Sequence, residues 1–319
     1  MVDWLSERLR LPMIGAPLFI VSNPDLVIAQ CTAGIVGSMP SLNARGGDGN
    51  RLEDWLARIV DALAAHDAAH PDRPAAPYAV NLIVHKSNPR LAEDLAICAR
   101  FKVPLIITSL GANEEVTAAV HGWGGHVLHD VINQRFAHKA IEKGADGLIL
   151  VAAGAGGHAG TQSPFALVSE TREWFKGPIA LAGAISTGAG LLAAQAMGAD
   201  VAYVGTPFIA TVEAKATPAQ QQAILDGHAE DIVYSSYFTG VPGNYLRRSI
   251  EAAGLDPEHL PEREPCTMDF GAATHAKAWR DIWGAGQGLG AMHEVMPAAA
   301  FIARLATEYS VARAALIAN

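Results

Sequence analysis

Residues 126–151 read HVLHDVINQRFAHKAIEKGADGLILV. A short β-rich run, HVLHD at 126–130, leads into NQRFAHKAIEKGA at 133–145, where apolar residues recur at helical spacing, and then into a second apolar run, GLILV at 147–151. Gly144 stands at the end of the helical stretch, where a left-handed residue lets the chain turn back. Strand, helix, glycine and strand make a βα unit, and its repetition decides the fold.

Eight β-rich runs can be read along the chain. They are PMIGA (12–16), IVGSM (35–39), YAVNL (78–82), PLIITS (104–109), HVLHD, GLILV, PIALA (178–182) and VAYVG (201–205). Helical patterns lie between them, among them 23–34, 88–101 and 187–199, and Gly34 and Gly198 fit the same cap as Gly144. Nearly continuous apolar strands suit a parallel sheet buried on both faces, and eight units over residues 1–225 predict an α/β fold, a closed (β/α)₈ TIM barrel. An open doubly wound sheet is the competing arrangement. Beyond the barrel, residues 226–284 are richer in charge, Pro and Tyr and read as an irregular, partly helical appendage. From Met292 to Asn319 the alanine-rich pattern returns and predicts a helix packed on the barrel.

The chain has 319 residues, 50% hydrophobic and 17% charged, enough to bury a large core. Its formal net charge of −9 offers no broad basic surface for phosphates, which argues against nucleic acid as a partner. Cys31, Cys98 and Cys266 are odd in number and far apart, without zinc spacing, so reduced thiols and no metal site are expected. The opening MVDWLSERLRLP alternates apolar and charged residues, and no later run approaches the ~18 apolar residues of a membrane span. A soluble, cytoplasmic protein with no membrane partner is expected, with a homo-oligomer left open.

In a barrel, function gathers at the carboxyl ends of the strands. Those ends carry Ala16-Pro17-Leu18, Asn81, His129-Asp130, the loop VAAGAGGHAG (151–160), Ala182-Gly183-Ala184 and Gly205-Thr206. Small residues after the last two strands match a barrel phosphate site built from backbone N–H groups, with Thr206 adding a hydroxyl and Ser186-Thr187 capping the next helix. The alternative is that Gly183 and Gly205 merely make tight turns. Gly154, Gly156 and Ala159 satisfy a dinucleotide fingerprint, but the next strand, PIALAG, ends without the carboxylate that would hold a ribose, so that reading fails. Among these small residues, His158 stands where a planar ligand can approach the backbone while the imidazole reaches it. His129 is the weaker candidate and reads equally as a core histidine donating to Asp130. Asn81 ends an apolar strand and needs polar partners if buried, which a ligand's ring edge would supply.

Taken in order, GAPLFIVSNPDLVIAQCTAGIVGSMPS, YAVNL, AAGAGGHAGTQSPFALV, ALAGAISTG, VAYVGTPF, FTGVPGNYLRRSIEAAGLD and WGAGQGLG resemble the nitronate monooxygenases, formerly 2-nitropropane dioxygenases, over most of the chain. The resemblance implies an FMN-dependent (β/α)₈ barrel, with the phosphate at Gly183 and Ala184 and at Tyr203, Val204, Gly205 and Thr206. It implies ring contacts from Ala16, Pro17, Leu18, Asn81, Val151, Gly156 and Gly157. Gln287 and Gly288, in the closing segment 285–319, would shut over the cofactor, and the appendage would cover the active site. His158 falls on the family's active-site histidine, beside the flavin N5, which takes a proton from a nitroalkane or orients a nitronate. The implied activity is oxidation of alkyl nitronates, or nitroalkanes, by O₂ to a carbonyl compound and nitrite. Relatives that use NAD(P)H to reduce quinones or enoyl thioesters provide the alternative, and a non-enzymatic flavin barrel is a third reading. Two departures stand out: Ala184 where relatives often have glycine, and Asp130 where some have lysine.

Overall fold

The computed structural model describes residues 8–261 and 280–318. Cys266, part of the 226–284 appendage and the first seven residues lie outside the described residues. In chain order the first half runs β1 (Met13–Gly15), α1 (Pro24–Ala33), β2 (Gly37–Pro40), α2 (Leu52–Ala69), β3 (Tyr78–Ile83), α3 (Leu91–Arg100), β4 (Leu105–Ser109), α4 (Glu114–Gly122), β5 (His126–Val131) and α5 (Gln134–Glu142). There follow β6 (Gly147–Val151), β7 (Gly157–His158), α6 (Pro164–Trp174), β8 (Ile179–Ala182), α7 (Gly188–Met197), β9 (Val201–Val204), α8 (Thr206–Ile209) and α9 (Pro218–Asp226). The remainder is β10 (Ile232–Ser235), β11 (Gly243–Leu246), α10 (Arg247–Ala252) and α11 (Ala298–Ile317).

Eight parallel strands follow one another in the order β1-β9-β8-β6-β5-β4-β3-β2. A parallel bridge between Ile14 and Val36 joins β1 to β2 and closes the ring, with Gly15 N donating to Val36 O at 2.8 Å and Val36 N to Met13 O at 3.1 Å. The barrel, not the open sheet, is therefore the architecture. Local chemistry sets its units: Asn23, Asn113 and Asn133 side chains accept from first-turn amides of α1, α4 and α5, and Thr187 does so for α7. Gly34, Gly144 and Gly198 take φ of 92°, 87° and 112°, the left-handed turn expected of them.

Alternation along the strands separates two cores. Ala79, Ile107, Leu128, Ile149 and Ala180 fill the barrel, while Val80, Ile106, Val127, Leu148 and Leu181 face the helices outside it. The C-terminal helix α11 packs against α1 and α7, and Phe301 meets Phe208 edge-on at 5.3 Å. Cys31 and Cys98 are buried free thiols, pushed up to about 12 by burial and so neutral. Among the described residues no helix is long and apolar enough to cross a membrane.

One element lies outside the sequence-based expectation. Within 226–284, β10 and β11 form an antiparallel hairpin, and β11 pairs with β7, so that Gly243 opposes His158 and Asn244 opposes Gly157. The loop after β6 is thereby stitched to the chain that follows the barrel.

Candidate active site

A cavity of about 900 Å³ opens at the carboxyl ends of the strands. The inward side of the pleat brings Asn81, Asp130, Val151, Ala182 and Tyr203 to its wall, above the apolar fill of the barrel. Ala16, Pro17, Leu18, Gly156, Gly157, His158, Gly183, Ala184, Gly205, Thr206 and Gly288 also border it. Two of the expected residues do not. Val204 faces the opposite way and is buried against the C-terminal helix side, and Gln287 reaches the site through its backbone, donating from N to Gly154 O at 2.9 Å.

The loop after β6 is held from three sides. Asn244 Nδ2 donates to Ala155 O at 2.7 Å, Tyr234 Oη donates to Ala159 O at 3.0 Å, and Gln287 N donates to Gly154 O at 2.9 Å. Glycine is required here by close approach: a Cβ on Gly156 would lie 2.8 Å from Gly286 N, and Gly157 has φ of 69°. His158 Nε2 lies 3.0 Å from Thr239 Oγ1, which also lies 3.0 Å from Val241 O. One hydrogen bond thus joins the imidazole to the Thr239 hydroxyl, and its direction follows the ring's tautomer. Burial lowers His158 to about 4, so the imidazole is neutral at pH 7.

His129 has a different partner from the one expected. Its Nδ1 lies 2.7 Å from Thr108 Oγ1, both side chains are buried, and desolvation lowers it to about 4. Asp130, the next residue on the alternating strand, faces inward and accepts from Ser109 Oγ at 2.5 Å. It retains some surface toward the cavity but lies deep in the protein, and desolvation raises it to about 6 against the opposing pull of its Ser109 and Leu110 hydrogen bonds. Burial, with Asp130 nearby, keeps the Tyr203 hydroxyl protonated.

On the opposite wall, Gly183, Ala184 and Gly205 present N–H groups that, among the described residues, donate to no protein acceptor. Gly183 takes φ of 143° and Ala184 φ of 54°. An alanine thus holds a left-handed conformation at a strain of roughly 1–2 kcal/mol, and its N–H remains available. Thr206 Oγ1 accepts from Gly286 N at 2.8 Å, which ties the closing segment to the end of β9 while leaving the hydroxyl's own proton for another acceptor. Thr187 caps α7 as expected, accepting from Gly190 N at 3.0 Å.

These features fit a flavin nucleotide: a cluster of unused N–H donors for a phosphate, side-chain-free backbone along the β6 loop, and a polar edge at Asn81. Ser109, Thr239, Tyr234 and Asn244 are members of the site that the sequence alone did not single out. Ser109 was legible as the last residue of PLIITS, at a strand's carboxyl end. The other three lie in a segment without periodicity.

Residues 7–308 match the family model described as nitronate monooxygenase. The chain is 26% identical to a nitronate monooxygenase of Paraburkholderia phytofirmans, with 97% of this chain and 96% of the relative aligned. Among solved structures, a nitroalkane oxidase from Streptomyces ansochromogenes superposes with a TM-score of 0.79 at 25% identity, covering 98% of this chain and 99% of that one. FabK from Thermotoga maritima superposes with a TM-score of 0.76 at 22% identity, over 99% and 97% of the two chains, a likeness of fold.

Proposed function

The chain belongs to the nitronate monooxygenase family of flavin-dependent oxidoreductases, and we propose that it binds FMN and oxidises alkyl nitronates with O₂ to a carbonyl compound and nitrite. The observation that carries this reading is His158, a neutral, half-buried imidazole on a glycine loop at the wall of a large cavity whose far wall offers unused N–H donors. When bound, FMN supplies the electron acceptor and the reactivity toward O₂.

The protein's own residues supply binding, orientation and proton handling. Gly183, Ala184 and Gly205 N–H groups and the Thr206 hydroxyl would hold the phosphate, with Tyr203 beside them. Ala16 to Leu18, Asn81, Val151, Gly156 and Gly157 would border the ring, and Gly288, with the backbone of Gln287, would close the site. His158 is neutral, so it carries a lone pair suited to taking the α-proton of a nitroalkane. An incoming nitronate anion would raise the imidazole's proton affinity and draw a proton onto it, so the same residue would orient the anion.

His158→Ala is expected to keep its bound FMN, read from the visible spectrum, and to lose roughly 10²–10⁴-fold in nitroalkane turnover. Full activity in that variant overturns the assignment. Anaerobic stopped-flow mixing separates this reading from a reductase. Rapid flavin bleaching by a nitronate is expected, whereas bleaching by NADH or NADPH with no response to a nitronate would put the NAD(P)H-dependent reductase in its place.

A further inference from the structure

Three polar side chains on adjacent strand ends form a directed chain, and counting donors fixes its direction. Asn81 Nδ2 donates to Ile107 O at 3.1 Å and to Ser109 Oγ at 2.7 Å, which uses both amide hydrogens. Ser109 Oγ donates its one hydrogen to Asp130 Oδ2 at 2.5 Å. The Leu110 amide also points at this carboxylate, so Asp130 is on the accepting side of every contact described for it. Ser109 therefore has only lone pairs to offer Asn81, and the end of the amide that meets it must be the NH₂. Turned over, Asn81 would set its Oδ1 against the Ile107 carbonyl and a serine lone pair, two repulsions in a buried site.

The consequence falls on the other end of the amide. Asn81 is only 5% exposed and borders the cavity, and among the described residues its Oδ1 meets no protein donor. The amide oxygen is the polar atom left for a ligand. The pyrimidine edge of a flavin carries two carbonyls and a single donor, the imide N–H between them. A site built to present an acceptor selects that one group.

We propose that Asp130 is a positioning residue for the cofactor: acting through Ser109, it holds the Asn81 amide with its oxygen toward the cavity, where it accepts the imide N–H of the bound flavin. The inference rests on the flavin reading above and assigns Asp130 a role at a distance, through two intervening side chains.

The test is a double-mutant cycle on FMN affinity, measured by fluorescence quenching as FMN is titrated into the flavin-stripped chain, with thermal melting run on each variant. Asn81→Ala, Ser109→Ala and Asp130→Ala are each expected to weaken FMN binding roughly tenfold. Asn81→Ala/Ser109→Ala and Asn81→Ala/Asp130→Ala are expected to bind no more weakly than Asn81→Ala, because the relay has nothing left to orient. Asp130→Asn keeps an acceptor oxygen and is expected to stay close to the wild type. Should Asp130→Ala fail to fold, Ser109→Ala cuts the same chain with the carboxylate in place. FMN affinity unchanged in Ser109→Ala, or losses that multiply in the double variants, overturns the proposal while leaving the flavin reading intact. A wild type that binds no FMN overturns the flavin reading and this inference with it.

Discussion

Thr239 holds the His158 ring by a hydrogen bond at Nε2. The residue is 1% exposed, and its hydroxyl lies 3.0 Å from Val241 O and 3.0 Å from His158 Nε2. Thr239→Val keeps the shape but leaves the Nε2 ring nitrogen facing a methyl group, a loss of about 1–3 kcal/mol for the geometry that depends on it. Nitroalkane kcat is expected to fall about tenfold or more with KM little changed, and Thr239→Ser to restore it. Steady-state kinetics on the two variants check this; equal kcat in wild type and Thr239→Val would show that the contact does not position the imidazole. Nothing near residue 239 in the sequence signals this role, because Thr239 and His158 meet only through tertiary structure. His158 itself was singled out in the sequence by its place among glycines at a strand end.

Pairing between β7 and β11 is what turns a loop into a site. A Cβ on Gly243 would lie 2.8 Å from Gly157 O and 3.0 Å from Gly157 C, backbone atoms that have no rotamer to give. Gly243→Ala is therefore expected to force the two strands apart, to destabilise the fold by roughly 1–3 kcal/mol and to loosen FMN binding together with it. Calorimetry and flavin titration check this, and an unchanged melting temperature would show that the hairpin is not a structural clamp. The contrast with the barrel strands explains what a sequence can disclose. Four of the barrel units are announced within a few residues by an apolar run, an N-capping Asn or Thr and a left-handed glycine, as at Asn23 and Gly34, Asn113 and Gly124, Asn133 and Gly144, and Thr187 and Gly198, all of them local. By contrast β7 has two residues, Gly157 and His158, and its partners Asn244 and Gly243 lie in a charged, Pro- and Tyr-rich segment whose pattern is not periodic. Its strand character is conferred by the partner and not by its own composition. Val204 shows the same limit on a smaller scale: a match to a motif marks a stretch, but alternation sends one of its side chains away from the cavity.

At the scale of the whole molecule, the buried titratable groups of the site oppose one another. His129 and His158 are lowered by burial from the ordinary 6.5 to about 4, so between those values the unfolded chain binds more protons than the folded one. Both histidines therefore withdraw stability as pH falls from 6.5 to 4. Asp130 acts with the opposite sign: raised from 3.8 to about 6, it holds its proton in the folded state over that window and adds stability as pH falls. Two groups against one leave a net loss on acidification. The melting temperature is expected to drop between pH 6.5 and pH 4, and the two kinds of variant should move the slope in opposite directions. His158→Gln should flatten the acid side, because one of the opposing imidazoles is gone, whereas Asp130→Asn should steepen it, because the compensating carboxyl is gone. Each variant is compared with its own value at pH 7, so that a general change in stability cancels. Parallel slopes in all three proteins would mean that neither group's burial is linked to folding, and would remove the desolvated, neutral imidazole on which base chemistry at His158 depends.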